Sequence, residues 1–319
     1  MVVATGAWGV RGHQSANRAA VKTIPVDGPV FLKECEDWIA KTGPVPDSWR
    51  GSAEPYSKIF EDPNHGWFKE QFAFMDAIPR SRYEFVLRLY DEFLRIQDKD
   101  PERAARTNVR WTGTMPYAAM ENYDRMKSAM RLYRGAMADK SPDARYLAQD
   151  IAFYMGWLGH YTADGAQPLH DTIHHDGWLG ANPKQYTTDA RIHGRFETSF
   201  VDLIQLTDSD LMPIMEKPKM LEDPFAAILA HLDDASTRVE EVYILDKSGA
   251  FADKTNEPAA KLVKAQLAKA AALLRDLTYT AWIESGKPGS NLPENPISRS
   301  NPRYNPETGT APPGPPVKR

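Results

Sequence analysis

Residues 141–170 read SPDARYLAQDIAFYMGWLGHYTADGAQPLH, and their pattern predicts one long helix. Ser141 is a favoured N-cap residue, and the proline and the acid that follow it suit a first helical turn. Apolar residues then recur at helical spacing as far as Leu158. Pro168 should end or kink the helix near Ala166, because proline lacks an amide hydrogen and restricts the residue before it.

The end of this helix carries several potential metal ligands. His160 and Asp164 are four residues apart and therefore share one helix face, and His170 completes an eleven-residue stretch. A second pair with the same spacing, His193 and Glu197, lies in IHGRFE, 33 residues after the first. Imidazole and carboxylate groups bind zinc and other hard or borderline cations. The two pairs therefore favour a metallohydrolase that holds more than one cation.

Composition limits the alternatives. The chain has 319 residues, 42% of them hydrophobic, which is enough for a sizeable core in one large domain or two ordinary ones. The net charge of −4 gives no basic footprint for duplex nucleic acid, although a short single strand or a mononucleotide is compatible with it. Cys35 is the single cysteine, which excludes an intrachain disulfide and a thiolate zinc cluster. The sequence contains no run of 18 apolar residues, so it predicts no membrane span.

Helical patterns dominate the rest of the chain. Residues 171–191 are rich in Gly, Asn, Pro and Thr and predict a loop, and no strand pattern extends beyond five residues. The sequence thus predicts an all-α fold with a single multi-helical domain at residues 8–285. The Pro-rich residues 286–319 predict an extended or disordered tail, and residues 1–7, MVVATGA, predict a signal-peptide remnant or a flexible N-terminus. Further helices are expected at residues 82–97, 115–138, 192–206, 224–245 and 257–285.

Several other polar residues are weak candidates when each is considered alone. His13 in WGVRGH, Asp47 in VPDSWR and His65 in DPNHGWF are each compatible with an ordinary turn or loop role. His174 and His175 lie in the polar loop, where we expect them to be solvated rather than to bind a metal.

Two weaker signals point elsewhere. His231 precedes two aspartates on a predicted helix and is expected to be a helix-surface residue. The dipeptides His170-Asp171 and His175-Asp176 are similar to the His-Asp signature of another all-α phosphohydrolase class. That signature is only two residues long, and it leaves the second i,i+4 pair without a role.

Five segments occur in an order that carries a family resemblance. They are WGVRGH, PDSWR, PNH, HYTADGAQPLH and HGRFE, and together they span residues 8–197. In these segments the chain resembles the trinuclear-zinc superfamily that unites bacterial zinc-dependent phospholipase C and the fungal single-strand-specific nucleases. The central HYxxDxxQPLH pattern is the most specific part. The resemblance implies an all-helical fold, in agreement with the helix pattern, and a zinc-dependent phosphoric diester hydrolase.

The resemblance also implies a set of ligands for three zinc ions. The family uses the free amino group of a mature N-terminal tryptophan as a ligand. Seven residues precede Trp8 in this chain, so the third zinc site depends on their removal. The implied ligands are Asp47, His65, His160 and Asp164 for one ion, His170, His193 and Glu197 for a second, and Trp8, His13 and Asp164 for the third.

Three residues receive catalytic roles from the resemblance. Arg50 matches a family position near the substrate phosphate, and a planar guanidinium suits that task. Asp47 is both a ligand and a candidate to orient the attacking water, and Asp164 would bridge two ions. Two zinc ions can share a water, lower its pKa and aim the hydroxide at phosphorus, while a third zinc and Arg50 bind the other oxygens.

The segments disagree about the substrate. Glu197 and the Phe-Val-Asp that follows it resemble phospholipase C, whereas the five-residue step from Trp8 to His13 resembles the nucleases. The Gly-Gly-Asn element of the nucleases is absent, and Gly66 stands where they place a base-stacking aromatic residue. We therefore favour a phospholipid or a small phosphodiester as substrate. The alternatives are a single-strand-specific nuclease or 3′-nucleotidase and, third, a non-catalytic zinc- or lipid-binding protein.

Trp67, Trp178 and Tyr186 are candidates to line a headgroup or acyl pocket, since aromatic faces can hold a choline cation. Packing in the core is the alternative for each of them. The resemblance and the segment MVVATGA imply a secreted or periplasmic protein whose export signal is truncated in this chain. We expect a monomer without a transmembrane segment.

Overall fold

A computed structural model describes residues 8–288 of the chain and the backbone of two short strands beyond them. The described part is all-α, as predicted. The features predicted for residues 1–7 and for most of residues 286–319 lie outside the described residues. The two strands, β1 (Asn295–Pro296) and β2 (Thr310–Ala311), pair antiparallel. The α-helices are α1 (Gly9–Lys22), α2 (Glu36–Thr42), α3 (Val45–Ser48), α4 (Pro55–Glu61), α5 (Arg82–Ile96), α6 (Pro101–Arg106), α7 (Val109–Thr112), α8 (Met115–Ala138), α9 (Ala144–Asp164), α10 (Ile192–Gly194), α11 (Phe200–Leu203), α12 (Asp208–Leu211), α13 (Pro224–Ser236), α14 (Val239–Lys247) and α15 (Glu257–Ser285).

Short 3₁₀ turns connect several of these helices. They are Val30–Cys35, Asp62–His65, Lys69–Phe72, Pro168–Asp171, Met212–Ile214 and Ala250–Ala252. One π-helical turn, Arg195–Ser199, lies between α10 and α11.

Three of the predicted helices are confirmed almost to the residue: α5, α8 and α15. Side chains cap two of them. The Ser81 hydroxyl accepts the amide of Glu84 at 3.4 Å where α5 begins, and the Asn256 side chain accepts the amide of Ala259 at 3.1 Å where α15 begins. Each cap satisfies a backbone donor that has no helical partner, and this determines where the helix begins.

The long helix at the centre of the sequence pattern is also confirmed, with a later start. α9 begins at Ala144, because the Ser141 hydroxyl accepts the amide of Asp143 at 3.2 Å in a turn that precedes the helix. The helix ends at Asp164, and Pro168 then opens a 3₁₀ turn. The last turn of α9 therefore presents its polar residues next to the loop that follows.

Two other predicted helices are interrupted. The helix expected at residues 224–245 is divided into α13 and α14, and the Thr237 hydroxyl at the break donates to the carbonyl of Asp234 at 2.6 Å. The helix expected at residues 192–206 consists of α10, the π turn and α11. A π turn inside an α-helix often marks a functional site, and this one contains Glu197.

Helices α1, α8, α9 and α15 pack together at the centre of the fold, and α2 packs against α1 and α9. Their facing side chains are apolar, and Leu158, Leu274 and Leu277 are among those with no exposed surface. Burial of each such side chain contributes about 2 kcal/mol, so this packing holds the helices in fixed positions. Among the described residues, no helix combines the length and the apolar character needed to cross a membrane.

Helix α1 approaches α9 very closely. A Cβ atom on Gly159 would lie 1.9 Å from the Asn17 Oδ1 atom, so only glycine fits at that position. The Asn17 side-chain amide donates to the carbonyls of Ile39 and Gly156, at 3.0 and 3.1 Å. One buried side chain therefore joins α1, α2 and α9 close to the candidate ligands that α1 and α9 carry.

Candidate metal centre

Four separate elements bring five of the predicted ligands together. These residues, here called the inner group, are His13 on α1, Asp47 on α3, His65 in a 3₁₀ turn, and His160 and Asp164 on α9. The His160 Nε2 and His65 Nδ1 atoms lie 3.0 Å apart. The Asp47 Oδ1 atom lies 3.8 Å from His65 Nδ1 and 4.0 Å from His160 Nε2. Helix packing, rather than any local pattern, assembles the inner group.

Asp164 lies between His13 on one side and the pair His65 and His160 on the other. Its Oδ2 atom is 3.1 Å from His65 Nδ1 and 3.2 Å from His160 Nε2. Its Oδ1 atom is 3.4 Å from His13 Nε2. Because the two oxygens face different partners, this carboxylate has the geometry to bridge two cations.

Hydrogen bonds on the far side of the histidine rings orient the inner group. His160 Nδ1 donates to the carbonyl of Gly43 at 2.9 Å, which turns its Nε2 atom toward the centre. His65 Nε2 lies 3.3 Å from a Glu61 carboxylate oxygen, and the Tyr161 hydroxyl donates to the same oxygen at 2.6 Å. Such second partners fix the tautomer and the orientation of histidines that bind metals.

The remaining three predicted ligands form a second set, here called the outer group: His170, His193 and Glu197. His193 Nε2 is 3.0 Å from both His170 Nε2 and Glu197 Oε2. His170 Nε2 is 3.6 Å from Glu197 Oε2. The i,i+4 pair therefore points to one side of the chain, as its spacing predicts, although the helix there contains a π turn.

Hydrogen bonds also orient the outer group. His193 Nδ1 donates to the carbonyl of His175 at 3.0 Å, and His170 Nδ1 donates to the carbonyl of His65. The Gln167 side-chain amide donates to Glu197 at 2.9 Å. The Nε2 atoms of both histidines are thus left to face the carboxylate. The contact with His65 also connects the outer group to the inner group.

Several buried atoms of both groups have no hydrogen-bond partner among the described residues. A buried polar atom left unpaired costs about 1–3 kcal/mol, so such atoms need a partner of another kind. A cation can serve as that partner for nitrogen and carboxylate atoms, and the centre is therefore compatible with bound metal. The unpaired atoms include both ring nitrogens of His13, Asp47 Oδ1, Asp164 Oδ1 and Glu197 Oε1. Three sets have donor atoms within 4.8 Å of one another: His13, His160 and Asp164; Asp47, His65 and His160; and the outer group.

Charges within the centre shift pKa values in both directions. Burial opposes the charged form of His160, but Asp164 raises the pKa of this histidine to about 9. Burial likewise opposes the charged form of His193, and Glu197 raises its pKa to about 10. Burial lowers the pKa of His13 to about 4. Protonated histidines thus balance the buried carboxylates when no cation is bound, and a cation that binds must displace those protons.

A cleft of about 900 Å³ opens beside the centre. Three histidines of the two groups form part of its wall, and Arg50 lines the same cleft. The Arg50 guanidinium lies 3.1 Å from Asp62 and 3.7 Å from Asp47. The cleft therefore combines access to the candidate ligands with a guanidinium of the kind that binds phosphate oxygens.

Phe68, Arg110 and Trp111 also line the cleft, although no sequence pattern indicated them. The Arg110 guanidinium makes no ion pair with any other residue that the structure describes. A bridge between the backbones of Trp67 and Gly113 brings the two segments together. Because this contact joins residues far apart in the sequence, no local pattern could have revealed it.

None of the three aromatic candidates lines this cleft, and their place in a headgroup or acyl pocket stays a prediction. Trp67 is only 1% exposed, and its ring lies 4.4 Å from that of Phe72 in the core. Trp178 and Tyr186 pack on each other at 4.9 Å and on Tyr243. The ring of each candidate therefore packs on other aromatic rings.

Trp8 lies fully buried at the start of α1. Its indole nitrogen donates to the carbonyl of Ala163 at 2.6 Å, and its own carbonyl accepts the amide of Gly12 at 3.0 Å. In this chain its backbone nitrogen is bonded to Ala7. The role of Trp8 as a ligand of a third ion stays a prediction.

The two histidines expected to be solvated in the loop are instead part-buried. The His174 ring stacks on Trp178 at 4.0 Å, and the His175 ring stacks on Phe68 at 4.8 Å. His175 also lines the cleft. Neither belongs to the sets of potential ligands among the described residues.

His231 is not a simple surface residue, since its Nε2 atom donates to the carbonyl of Thr162 on α9 at 2.9 Å.

Asp171 is buried, but it belongs to none of the sets of donor atoms found among the described residues. Asp176, the aspartate of the second His-Asp dipeptide, lines the cleft and lies 3.4 Å from His193 Nδ1, although it is in none of those sets either.

Comparison with known proteins adds no relative. No family model matches this chain, and no curated protein or solved structure matches it either. The family resemblance thus continues to depend on the five sequence segments.

Proposed function

We propose that the chain is a zinc-dependent phosphodiester hydrolase that resembles phospholipase C and acts on a phospholipid or a small phosphodiester. The observation that supports this most directly is that eight His, Asp and Glu side chains converge in two adjoining groups beside one cleft. The five family segments are consistent with this arrangement, because each of them contributes at least one residue to the centre or its cleft.

The residues divide into those that hold ions and those that handle the substrate. When bound, zinc ions would lower the pKa of a shared water molecule and offset charge on the phosphate oxygens. The outer group would hold one ion. Within the inner group, Asp47, His65, His160 and Asp164 would hold another, and His13 with Asp164 would contribute to a third site, which also needs Trp8.

Arg50 would bind a non-bridging oxygen of the phosphodiester. Its guanidinium lines the cleft and is held there by Asp62, so that its orientation is fixed before the substrate binds. Asp47 Oδ1 lies 3.7 Å from this guanidinium and has no hydrogen-bond partner among the described residues. Asp47 would also orient the attacking water by accepting a hydrogen bond from it.

A single-strand-specific nuclease or 3′-nucleotidase is the second candidate function, and one observation favours it. Phe68 and Trp111 line the cleft near the candidate ligands, together with the guanidinium of Arg110. Aromatic faces with a nearby cation are what a protein uses to stack the bases of a single strand. These residues would take the place of the base-stacking aromatic residue that the sequence lacks at Gly66.

A non-catalytic zinc- or lipid-binding protein is the third candidate. Structural zinc sites are usually closed by four protein ligands, whereas histidines of both groups reach the wall of an open cleft here. This favours an enzyme.

Secretion or a periplasmic location and a monomeric state belong to the same proposal, since they follow from the family resemblance.

Metal analysis combined with three parallel hydrolysis assays tests the function. The purified chain should contain zinc in more than equimolar amount and should hydrolyse bis(p-nitrophenyl) phosphate. Release of phosphocholine from phosphatidylcholine supports the phospholipase C-like function, whereas release of mononucleotides from single-stranded DNA supports the second candidate. A chain that binds no zinc and leaves all three esters intact contradicts the proposal.

A further inference from the structure

The surface beside the cleft exposes large apolar side chains. On α4, Tyr56, Ile59 and Phe60 are 90%, 75% and 62% exposed. Spacings of three and four residues place them on one face of this helix. α4 packs mainly on the 3₁₀ turn that follows it, and Asp62 in that turn lines the cleft. Three apolar side chains therefore extend into solvent next to the entrance of the candidate site.

Helix α5 has a second apolar face, which is turned to solvent. One face of the helix is buried in the core and includes Phe85 and Leu89. On a surface helix the opposite face is normally polar. Here that face carries side chains that are 39–64% exposed: Tyr83, Val86, Tyr90 and Leu94.

One contact connects helices α4 and α5. The Arg82 guanidinium at the start of α5 lies 5.5 Å from the centre of the Phe60 ring on α4. The seven exposed residues of α4 and α5 are called the apolar patch below. Exposed apolar surface of this extent usually marks a binding surface for a membrane or for another protein.

Two ion pairs on α5 have a buried acid and a more exposed base. The side chains of Glu84 and Glu92 are 8% and 6% exposed, whereas their partners Arg88 and Arg95 are 38% and 61% exposed. Asp91 is the acidic residue of α5 that is exposed. Two guanidinium groups of α5 are therefore more exposed than the carboxylates with which they pair.

This combination matches one kind of partner best. Apolar side chains can enter the boundary between headgroups and acyl chains, while arginines contact the phosphates of anionic lipids. Tyrosine, with an apolar ring and a polar hydroxyl, is favoured at that boundary. We propose that the apolar patch docks on an anionic phospholipid surface and thereby brings the cleft to lipid substrates. The second part of this statement rests on the proposed function.

Vesicle binding tests the docking surface directly. The double variant Tyr56→Ser/Ile59→Ser removes apolar surface from the patch. Leu132→Ser/Ile244→Ser is a matched control, because it removes two exposed apolar side chains from α8 and α14. The full chain is sedimented with vesicles of phosphatidylcholine and phosphatidylserine, as purified and after removal of metal by a chelator. The patch variant should lose roughly tenfold or more in its partition onto the vesicles, with the control close to the unsubstituted chain.

Three outcomes would overturn the docking proposal. The first is that the unsubstituted chain does not bind the vesicles, and the second is that both double variants bind equally well. The third is that the unsubstituted chain forms dimers that Tyr56→Ser/Ile59→Ser dissociates, which would make a second copy the partner. Hydrolysis of bis(p-nitrophenyl) phosphate reports the proposed function separately, since this soluble ester needs no surface. Vesicle binding without hydrolysis of any ester contradicts the proposed function alone.

Discussion

The inner and outer groups of candidate ligands are built in different ways. The inner group draws its side chains from α1, α3, α9 and a 3₁₀ turn, and its members His13 and Asp164 have no exposed side-chain surface. The outer group comes from two neighbouring segments, and the side chain of His193 is 19% exposed at the wall of the cleft. One group depends on the whole helix packing, and the other depends mainly on local geometry.

Because of this difference, we expect substitutions in the two groups to have different effects on metal content, folding and catalysis. A change in the inner group removes a charge from a site that the helices cannot rearrange around, so it should alter both metal content and folding. A change in the outer group lies next to the cleft and should act mainly on catalysis and on one ion. Substitutions in each group can test this expectation.

Asp164→Asn should have the largest effect, because both carboxylate oxygens contact histidines of the inner group. We expect hydrolysis of bis(p-nitrophenyl) phosphate to fall by roughly a thousandfold or more, with loss of more than one zinc per chain. Zinc analysis and kinetics measure the two effects. Asp202→Asn, at an exposed acid on α11, is the matched control and should change neither. Normal zinc content and turnover in Asp164→Asn would contradict the bridging role.

Glu197→Gln tests the outer group by itself. This substitution removes the carboxylate that His170 and His193 share, but it changes no member of the inner group. We expect activity to fall by about a hundredfold to a thousandfold, with the loss of one zinc and little change in the urea midpoint. A variant that loses all of its zinc would show that the two groups bind as one unit, and the comparison between them would then fail.

The same difference explains how much of the site could be predicted from the sequence. The i,i+4 pairs His160–Asp164 and His193–Glu197 are local patterns, and each pair lies together in the structure. His13, Asp47 and His65 have no local signal, so only the order of the family segments pointed to them. Helix packing then brings them to Asp164.

The aromatic residues show where sequence reasoning ends. Whether Trp67 faces a cleft or the core depends on the elements that pack on it, and no pattern around it contains that information. Phe68 and Trp111 reach the cleft through a backbone bridge between distant segments. The fold was easier to predict, because the apolar spacing of helices such as α5 is a local pattern. The break at Thr237 between α13 and α14 had no such signal.

Arg50→Ala should separate substrate binding from metal binding. The guanidinium lines the cleft, but it contributes no ligand atom to either group. We expect kcat/KM to fall by about a hundredfold at unchanged zinc content, because a charge-assisted contact to phosphate is lost. Arg50→Lys should recover only part of this loss, since an ammonium cannot replace the planar fork. Loss of zinc in Arg50→Ala would mean that Arg50 supports the inner group rather than the substrate.

Glu61→Gln tests how the inner group is oriented. Glu61 lies 3.3 Å from His65 Nε2 and accepts a hydrogen bond from Tyr161, so it acts on the centre through His65 alone. We expect zinc affinity to fall by about tenfold to a hundredfold, as is usual when a partner of a metal-binding histidine is removed. Competition with a chromogenic chelator measures this. Full zinc loading should restore most of the turnover, whereas turnover that stays low would give Glu61 a role beyond orientation.

The smallest expected effect concerns the support of the last turn of α9, which carries two members of the inner group. His231 on α13 donates to the carbonyl of Thr162, and burial lowers the pKa of His231 to about 4. An unfolded chain binds a proton at this histidine below a pH of about 6.5, while the folded chain keeps the ring neutral. The proton therefore favours the unfolded state. The contribution to stability is complete above pH 6.5 and is lost as the pH falls toward 4.

His231→Gln retains an N–H donor but cannot titrate, so it isolates this contribution. Between pH 7 and pH 5, the free energy of unfolding of the zinc-free chain should fall by about 1–2 kcal/mol less in the variant than in the unsubstituted chain. Urea unfolding at the two pH values measures the difference. His13 also has a pKa lowered to about 4, but it is present in both proteins and cancels in the comparison. An equal fall in the free energy of unfolding of both proteins would mean that water reaches His231 beside α9. The contact with Thr162 would then not shield the His231 ring.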